Sequence, residues 1–158
     1  MDVDIHELKN FFCKSCENGY AKEDVQITKE PDGSHTIVYE EGLWKFHDNF
    51  FGGEPFAGKD VIFYKGRAVW IMLYYGWIHD TELSPDEVYG FLRRALARFP
   101  KDYPYRGPTE FKEDALIYRN IHKGEMSNFN GTETIYEEKK EIYKALYFGG
   151  LVDQREGY

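Results

Sequence analysis

The feature that most constrains this chain is a long-period internal repeat. Phe56-Ala57-Gly58 recurs as Phe129-Asn130-Gly131, and Ile62-Phe63 recurs as Ile135-Tyr136. The run Val69-Trp70-Ile71-Met72-Leu73-Tyr74-Tyr75-Gly76 returns as Ile142-Tyr143-Lys144-Ala145-Leu146-Tyr147-Phe148-Gly149, each pair lying 73 positions apart. A period of this length points to one supersecondary unit used twice, each copy burying the apolar face of the other. It predicts architecture and a pseudo-twofold seam. It does not name a chemistry.

Helix signals extend the repeat. Asp4 and Glu7 form a capping-box pattern, followed by Ile5, Leu8, Phe11, Phe12 and Cys16 at helical spacing, with Gly19 as the stop. Ser84, Pro85 and Glu87 open a second helix whose stripe is Val88, Phe91, Leu92, Ala95, Leu96 and Phe99, ending at Pro100. The two helices align at a spacing of 80. Strands are expected near 25–28, 36–40, 43–49, 59–64 and 67–75, then near 109–112, 115–120, 133–137 and 141–148. Turn residues such as Asp32-Gly33, Glu41-Gly42 and Lys65-Gly66 separate them. The hairpin at Tyr39–Asp48 matches its counterpart at a spacing of 72, and 25–28 has no counterpart, so length changes fall in loops. No linker divides the halves. The expected fold is a single α+β domain over 1–158, with repeat one about 4–78 and repeat two about 84–152. An antiparallel sheet, strongly bent or split, carries both helices across it.

Composition bounds the partners. Formal charge is −8, which opposes binding to a polyanion, so nucleic acid is not the expected ligand. No stretch approaches the roughly 18 apolar residues of a membrane span, and no signal-peptide pattern opens the chain. The expected location is the cytoplasm, where Cys13 and Cys16 stay reduced. With 13 Tyr, 12 Phe and 3 Trp, the chain has more rings than one core readily encloses, and some should line a groove or an interface.

The strand at 67–75 sharpens that expectation. Val69, Ile71, Leu73 and Tyr75 alternate with Trp70, Met72 and Tyr74, and neither set is polar. The aliphatic set suits the helices. The aromatic set, with Tyr143 and Tyr147 of the second copy, must meet a second layer, a partner or a ligand. Trp70, Tyr74, Tyr143 and Tyr147 are therefore the candidate stacking residues, with Met72 as an adaptable contact. Trp44, or Phe51 and Phe56 of the glycine-rich loop, would close over the ligand. The same face could instead bury itself in a homodimer.

Other motifs carry less. Cys13-x-x-Cys16 lies in the third and fourth helical turns rather than at a helix N-terminus, and copy two has Leu96 at the Cys16 position. Packing is the better account. His47-Asp48 and His79-Asp80 resemble acid–base or metal pairs, yet neighbours on a strand point to opposite faces. Glu40, Glu41 and Glu113 read as turn carboxylates. No cofactor motif or nucleophile elbow is present, and no metal site is expected. Should the chain be a hydrolase or isomerase, His47, Asp48 and Glu54 are its acid–base candidates. A strongly shifted carboxylate or histidine inside the main pocket would distinguish such an enzyme from a binding module.

The segment from Phe51-Gly52-Gly53-Glu54-Pro55-Phe56 through Tyr74-Tyr75-Gly76 resembles an uncharacterised family of small bacterial and archaeal domains. Pro104-Tyr105-Arg106-Gly107-Pro108 and Tyr147-Phe148-Gly149-Gly150-Leu151 fit it as well. Members of that family occur alone or behind an XRE-type helix-turn-helix. The resemblance implies no catalytic residues. It does imply a domain that senses something small or proteinaceous.

Overall fold

Two helices form where the caps and apolar stripes place them. The computed structural model describes residues 3–19, 22 and 24–153. Helix α1 spans Ile5–Asn18, and the Asp4 carboxylate accepts from the amides of His6 and Glu7 at 2.8 and 3.0 Å. Helix α2 spans Pro85–Leu96 and starts on a complete capping box, Ser84 and Glu87 each accepting from the other's backbone. These bonds satisfy amides that a helix start leaves without intrahelical acceptors.

Among the described residues, nine strands make one open antiparallel sheet. They are β1 (Thr28–Lys29), β2 (His35–Glu41), β3 (Trp44–Gly52), β4 (Phe56–Tyr64), β5 (Arg67–Ile78), β6 (Glu110–Glu113), β7 (Leu116–Glu125), β8 (Asn128–Glu137) and β9 (Lys140–Leu151). The order is β1-β2-β3-β4-β5-β9-β8-β7-β6, so β5 and β9 meet at the centre. The fold is α+β and mostly β. Strands β7 and β8 run further than their patterns suggest, because they continue into a hairpin at Met126-Ser127 that carries no glycine-pair turn signal.

Both helices pack on the same sheet face. Leu8, Phe11, Phe12 and Cys16 of α1 join Phe46, Ile62, Trp70, Met72 and Phe129 in one core cluster. Val88, Phe91, Leu92, Ala95 and Leu96 of α2 join Tyr118, Ile135, Ile142, Tyr143 and Ala145 in another. Phe56 packs against both. Each fully buried large side chain contributes about 1.5–3 kcal/mol relative to exposure.

This corrects the face assignment drawn from the alternation in β5. The ring-bearing face of Trp70, Tyr74, Tyr143 and Tyr147 is the one beneath the helices, while Leu73, Tyr75, Leu146 and Phe148 are exposed on the other side. β-bulges explain the misreading. The register shifts between Ile62 and Phe63, and again between Ile135 and Tyr136. Each shift leaves an extra residue, Val69 or Ile142, and it turns inward beside Trp70 or Tyr143. A strict two-residue period cannot represent that. The rings also bury more area than the aliphatic set, and their hydroxyls find partners inside.

Candidate functional site

The inner face of β3 and β4 carries two carboxyl groups in a row of apolar side chains. Asp48 follows Phe46 at the strand period, and Asp60 precedes Ile62; the register places Asp48 directly opposite Asp60. Both are buried, 6% and 3% exposed. The Tyr74 hydroxyl of β5 donates to Asp48 Oδ1 at 2.6 Å. Burial raises the Asp60 pKa well above the carboxylate range, and the neighbouring Asp48 charge raises it further. Burial also raises Asp48, opposed by hydrogen bonds from Tyr74 and Asp60. Two carboxyl groups facing each other in a buried site disfavour double ionisation, so both are raised, Asp60 the more strongly.

Arg106 approaches from the segment after α2. Its Nε and Nη2 donate to Glu133 Oε2 and Oε1 at 3.1 and 2.6 Å, and its Cζ lies 5.4 Å from the Tyr74 ring centroid. The hydroxyls of Tyr118 and Tyr143 also donate to Glu133, at 2.7 and 2.8 Å. Burial works against the Arg106 charge, but Glu133 outweighs it and the guanidinium stays protonated. Burial, followed by the charge of Glu133, lifts the Tyr118 and Tyr143 hydroxyls far above their ordinary range.

A cavity of about 450 Å³ opens above the carboxyl pair. Asp48, Asp60, Tyr74 and Arg106 line it together with Ile37, Phe50, Phe56, Tyr89, Leu92 and Leu96. Gly58 makes room for the Tyr74 hydroxyl: a Cβ there would sit 2.6 Å from Tyr74 Cζ. Apolar walls with a few convergent polar groups are the usual composition of a small-molecule site. Among the described residues, no group of three or more His, Cys, Asp or Glu side chains is arranged to hold a metal ion.

Residues 48–152 match a domain of unknown function, DUF5680. The chain belongs to the DUF5680 family. The matched span contains Asp48, Asp60, Tyr74, Arg106 and Glu133, so the whole polar floor of the cavity falls within the DUF5680 region. No curated protein matches the chain, and no solved structure does.

Of the ring residues singled out from sequence, Tyr74 and Phe56 reach the cavity. Trp70 is sealed between Phe12 and Phe129, ring centroids at 4.7 and 5.5 Å, and its Nε1 donates to Met126 O at 2.9 Å. Met72 belongs to the same core. Tyr143 is fully buried on Glu133, and Tyr147 donates to Asn120 Oδ1 at 2.7 Å. Trp44 stacks on Phe11 and packs against Tyr64, away from the cavity, and Phe51 is exposed. Trp70, Met72, Tyr143, Tyr147 and Trp44 form no stacking platform with Tyr74, because the helices cover that face, and Phe51 lies outside it.

Among the acid–base candidates, Asp48 lies on the cavity floor. His47 faces the other side of the sheet, its pKa lowered mainly by burial. Glu54 accepts from the Ile78 amide at 2.8 Å and from the Tyr89 hydroxyl, fixing the loop at the cavity rim. Cys16 is buried, and burial raises the Cys13 thiol, the opposite of a reactive cysteine. Asp60 and Arg106 were missed. The available signal was a polar residue on an otherwise inward apolar row, Gly58-x-Asp60-x-Ile62, alongside Phe46-x-Asp48-x-Phe50.

Proposed function

We propose that this domain binds a small organic molecule in the cavity between α2, β2, β3 and β4, with the Asp48–Asp60 pair receiving its polar end. The observation that carries this reading is an apolar-walled space whose buried floor ends on two carboxyl groups, Asp48 and Asp60, set directly opposite each other. Sensing of a small molecule would also suit the resemblance to a family with members behind an XRE-type helix-turn-helix, and a cytoplasmic location fits that role. Native mass spectrometry of protein taken from its own cells tests it. A retained molecule, lost when Leu92→Trp fills the cavity, is the expected result; identical bare masses for both proteins would sink the reading.

A second reading has its own observation. Two facing carboxyl groups inside the cavity, Asp60 raised more strongly than Asp48 by burial and by its neighbour's charge, are an arrangement an acid–base enzyme uses. Turnover of any retained molecule, abolished by Asp60→Asn with binding kept, would favour catalysis.

We further read the architecture as a duplicated helix-plus-hairpins unit with a pseudo-twofold axis between β5 and β9. Contacts at repeat-related positions support it. Phe11 stacks on Tyr39 and Phe91 on Phe111, at 5.8 and 5.4 Å. Lys14 pairs with Glu41 and Arg94 with Glu113. Tyr74 donates to Asp48 and Tyr147 to Asn120, and both strand pairs carry a bulge at the same place. A homodimer, expected through the ring-bearing face, would have to use the exposed face of Leu73, Tyr75, Leu146 and Phe148. Sedimentation of wild type against Leu146→Glu tests this: a monomer in both removes it.

A further inference from the structure

Among the described residues the buried charged side chains are Asp48, Asp60, Glu133 and Arg106, more acids than bases. Arg106 gives Nε and Nη2 to Glu133 at 3.1 and 2.6 Å, so each matches the other's charge. No ion pair reaches Asp48 or Asp60 among the described residues. The Tyr74 hydroxyl donates to Asp48, and no amide, hydroxyl or basic group among the described residues donates to Asp60. Both carboxyl groups line the cavity and stand directly opposite each other. The floor therefore holds more acidic groups than its own side chains neutralise.

The nearby bases do not make up the difference. Arg106 favours the ionised form of both carboxyl groups, yet burial keeps both pKa values raised. Lys22 and Arg93 also line the cavity, but both are exposed, and Lys22 lies 3.7 Å from Asp24. Water and salt screen charges at such a rim, and screen a buried pair far less. A positive charge carried to the floor relieves both costs of the pair, desolvation without a counter-ion and mutual repulsion. An ammonium also brings N–H donors, and such charge-assisted bonds are roughly twice as strong as neutral ones. A neutral donor relieves neither electrostatic cost, and an anion adds to both.

We infer that this cavity takes an organic cation, a protonated primary amine whose ammonium sits on Asp48 and Asp60 and whose apolar body lies along Ile37, Phe50, Phe56, Leu92 and Leu96. This rests on the small-molecule reading and supplies its ligand class. A volume of about 450 Å³ suits a body of one or two rings, and the apolar lining satisfies the part of the ligand that carries no charge.

The test uses the full chain and calorimetric titration at neutral pH with three probes on one frame. 2-Phenylethylamine is the cation, 2-phenylethanol its neutral counterpart and 3-phenylpropanoate the anion. The amine should bind at least about tenfold more tightly than the alcohol, with the anion weakest, because only the amine supplies a charge-assisted bond to the pair. Asp60→Asn should weaken the amine by at least about tenfold and leave the alcohol nearly unchanged, since it removes a charge without changing the shape of the site. Asp48→Asn serves in its place should that variant fail to fold. Leu92→Trp, or Ile37→Phe if the first does not fold, should abolish binding of every probe. Alcohol binding equal to the amine overturns the cation assignment, as does amine affinity that Asp60→Asn and Asp48→Asn leave intact. In those cases the cavity stands as a ligand site provided the filled variant loses the probe. Amine binding that survives the filled variant lies elsewhere and overturns the assignment. No binding by any probe overturns it and counts against the cavity as well.

Discussion

The β3·β4 and β7·β8 strand pairs present similar side chains at matching register, yet they end in opposite environments. On β3·β4, Asp48 faces Asp60, Tyr74 bonds Asp48, and a cavity opens above. On β7·β8, Asn120 faces Glu133, Tyr147 bonds Asn120, and both Asn120 and Glu133 are buried. There Arg106 forks onto Glu133, the Tyr118 and Tyr143 hydroxyls donate to the same carboxylate, and the Asn120 amide donates to Gly107 O at 2.9 Å. A forked cation and two hydroxyls make one carboxylate a structural anchor. Asp60 instead faces a second carboxyl group, Asp48, and burial with that neighbour holds its pKa up beside the cavity. The difference teaches that a buried carboxyl group follows its partners: the one given a cation and hydroxyls holds the fold together, and the one set against another carboxyl group borders the cavity.

The sealed side should give the largest response. Glu133→Ala leaves the Arg106 guanidinium buried without its counter-charge, and breaking such a pair is expected to reduce stability by about 3–5 kcal/mol. Urea unfolding followed by circular dichroism measures it. A loss under about 1 kcal/mol would mean that Arg106 relaxes to solvent, and the contrast between the two sides would disappear.

The next effect compares two glycines. A Cβ at Gly131 would lie 2.7 Å from Tyr147 Cε1, much as one at Gly58 would crowd Tyr74. Overpacking of this kind typically destabilises by roughly 1–3 kcal/mol. Tyr147 is locked against Phe129, whereas Tyr74 borders open space. Gly131→Ala should therefore sit at the upper end of that range and Gly58→Ala at the lower. Equal losses in thermal unfolding would show that the cavity gives Tyr74 no freedom.

These contrasts also mark what the sequence makes legible. The helices are readable because caps and stripes are local signals: Ser84, Pro85 and Glu87 need only one another. The antiparallel strands are readable from turn residues such as Lys65-Gly66. The choice of covered face is not, since Val69 and Ile142 are bulge residues and break the alternation that would phase the strand. The carboxyl pair is non-local. Asp48 stands next to His47 in sequence, but its chemical partner is Asp60 across a strand register fixed only on folding. Arg106 is further removed, arriving from an irregular segment with no periodicity to place it.

The open side should respond to pH with a definite sign. Asp60 holds its proton more tightly in the folded chain than an unfolded carboxyl group does. The stability it contributes is therefore fully present below the ordinary carboxylate pKa near 4 and is lost as pH rises from there through the raised folded value. Asp60→Asn keeps a donor for Asp48 and removes this titration. Wild-type melting temperature should fall from weakly acid toward alkaline pH by more than that of Asp60→Asn, a difference that vanishes at low pH. Parallel curves would mean that Asp60 titrates normally and that the carboxyl pair is no special feature.

The smallest effect concerns the ion pairs that pin each helix to its hairpin. Lys14 on α1 meets Glu41, and Arg94 on α2 meets Glu113 with its Nε 2.9 and 3.1 Å from the two carboxylate oxygens. Both pairs are exposed, so water and salt screen them and side-chain ordering offsets much of the attraction. The geometries still differ: Arg94 forks across both oxygens, and a planar fork loses less freedom per bond than an ammonium on a flexible stem. Lys14→Ala should leave the melting temperature almost unchanged, and Arg94→Ala should lower it slightly, the gap closing in high salt. A larger loss at Lys14 than at Arg94 would reverse the comparison and make the first helix the one held by charge.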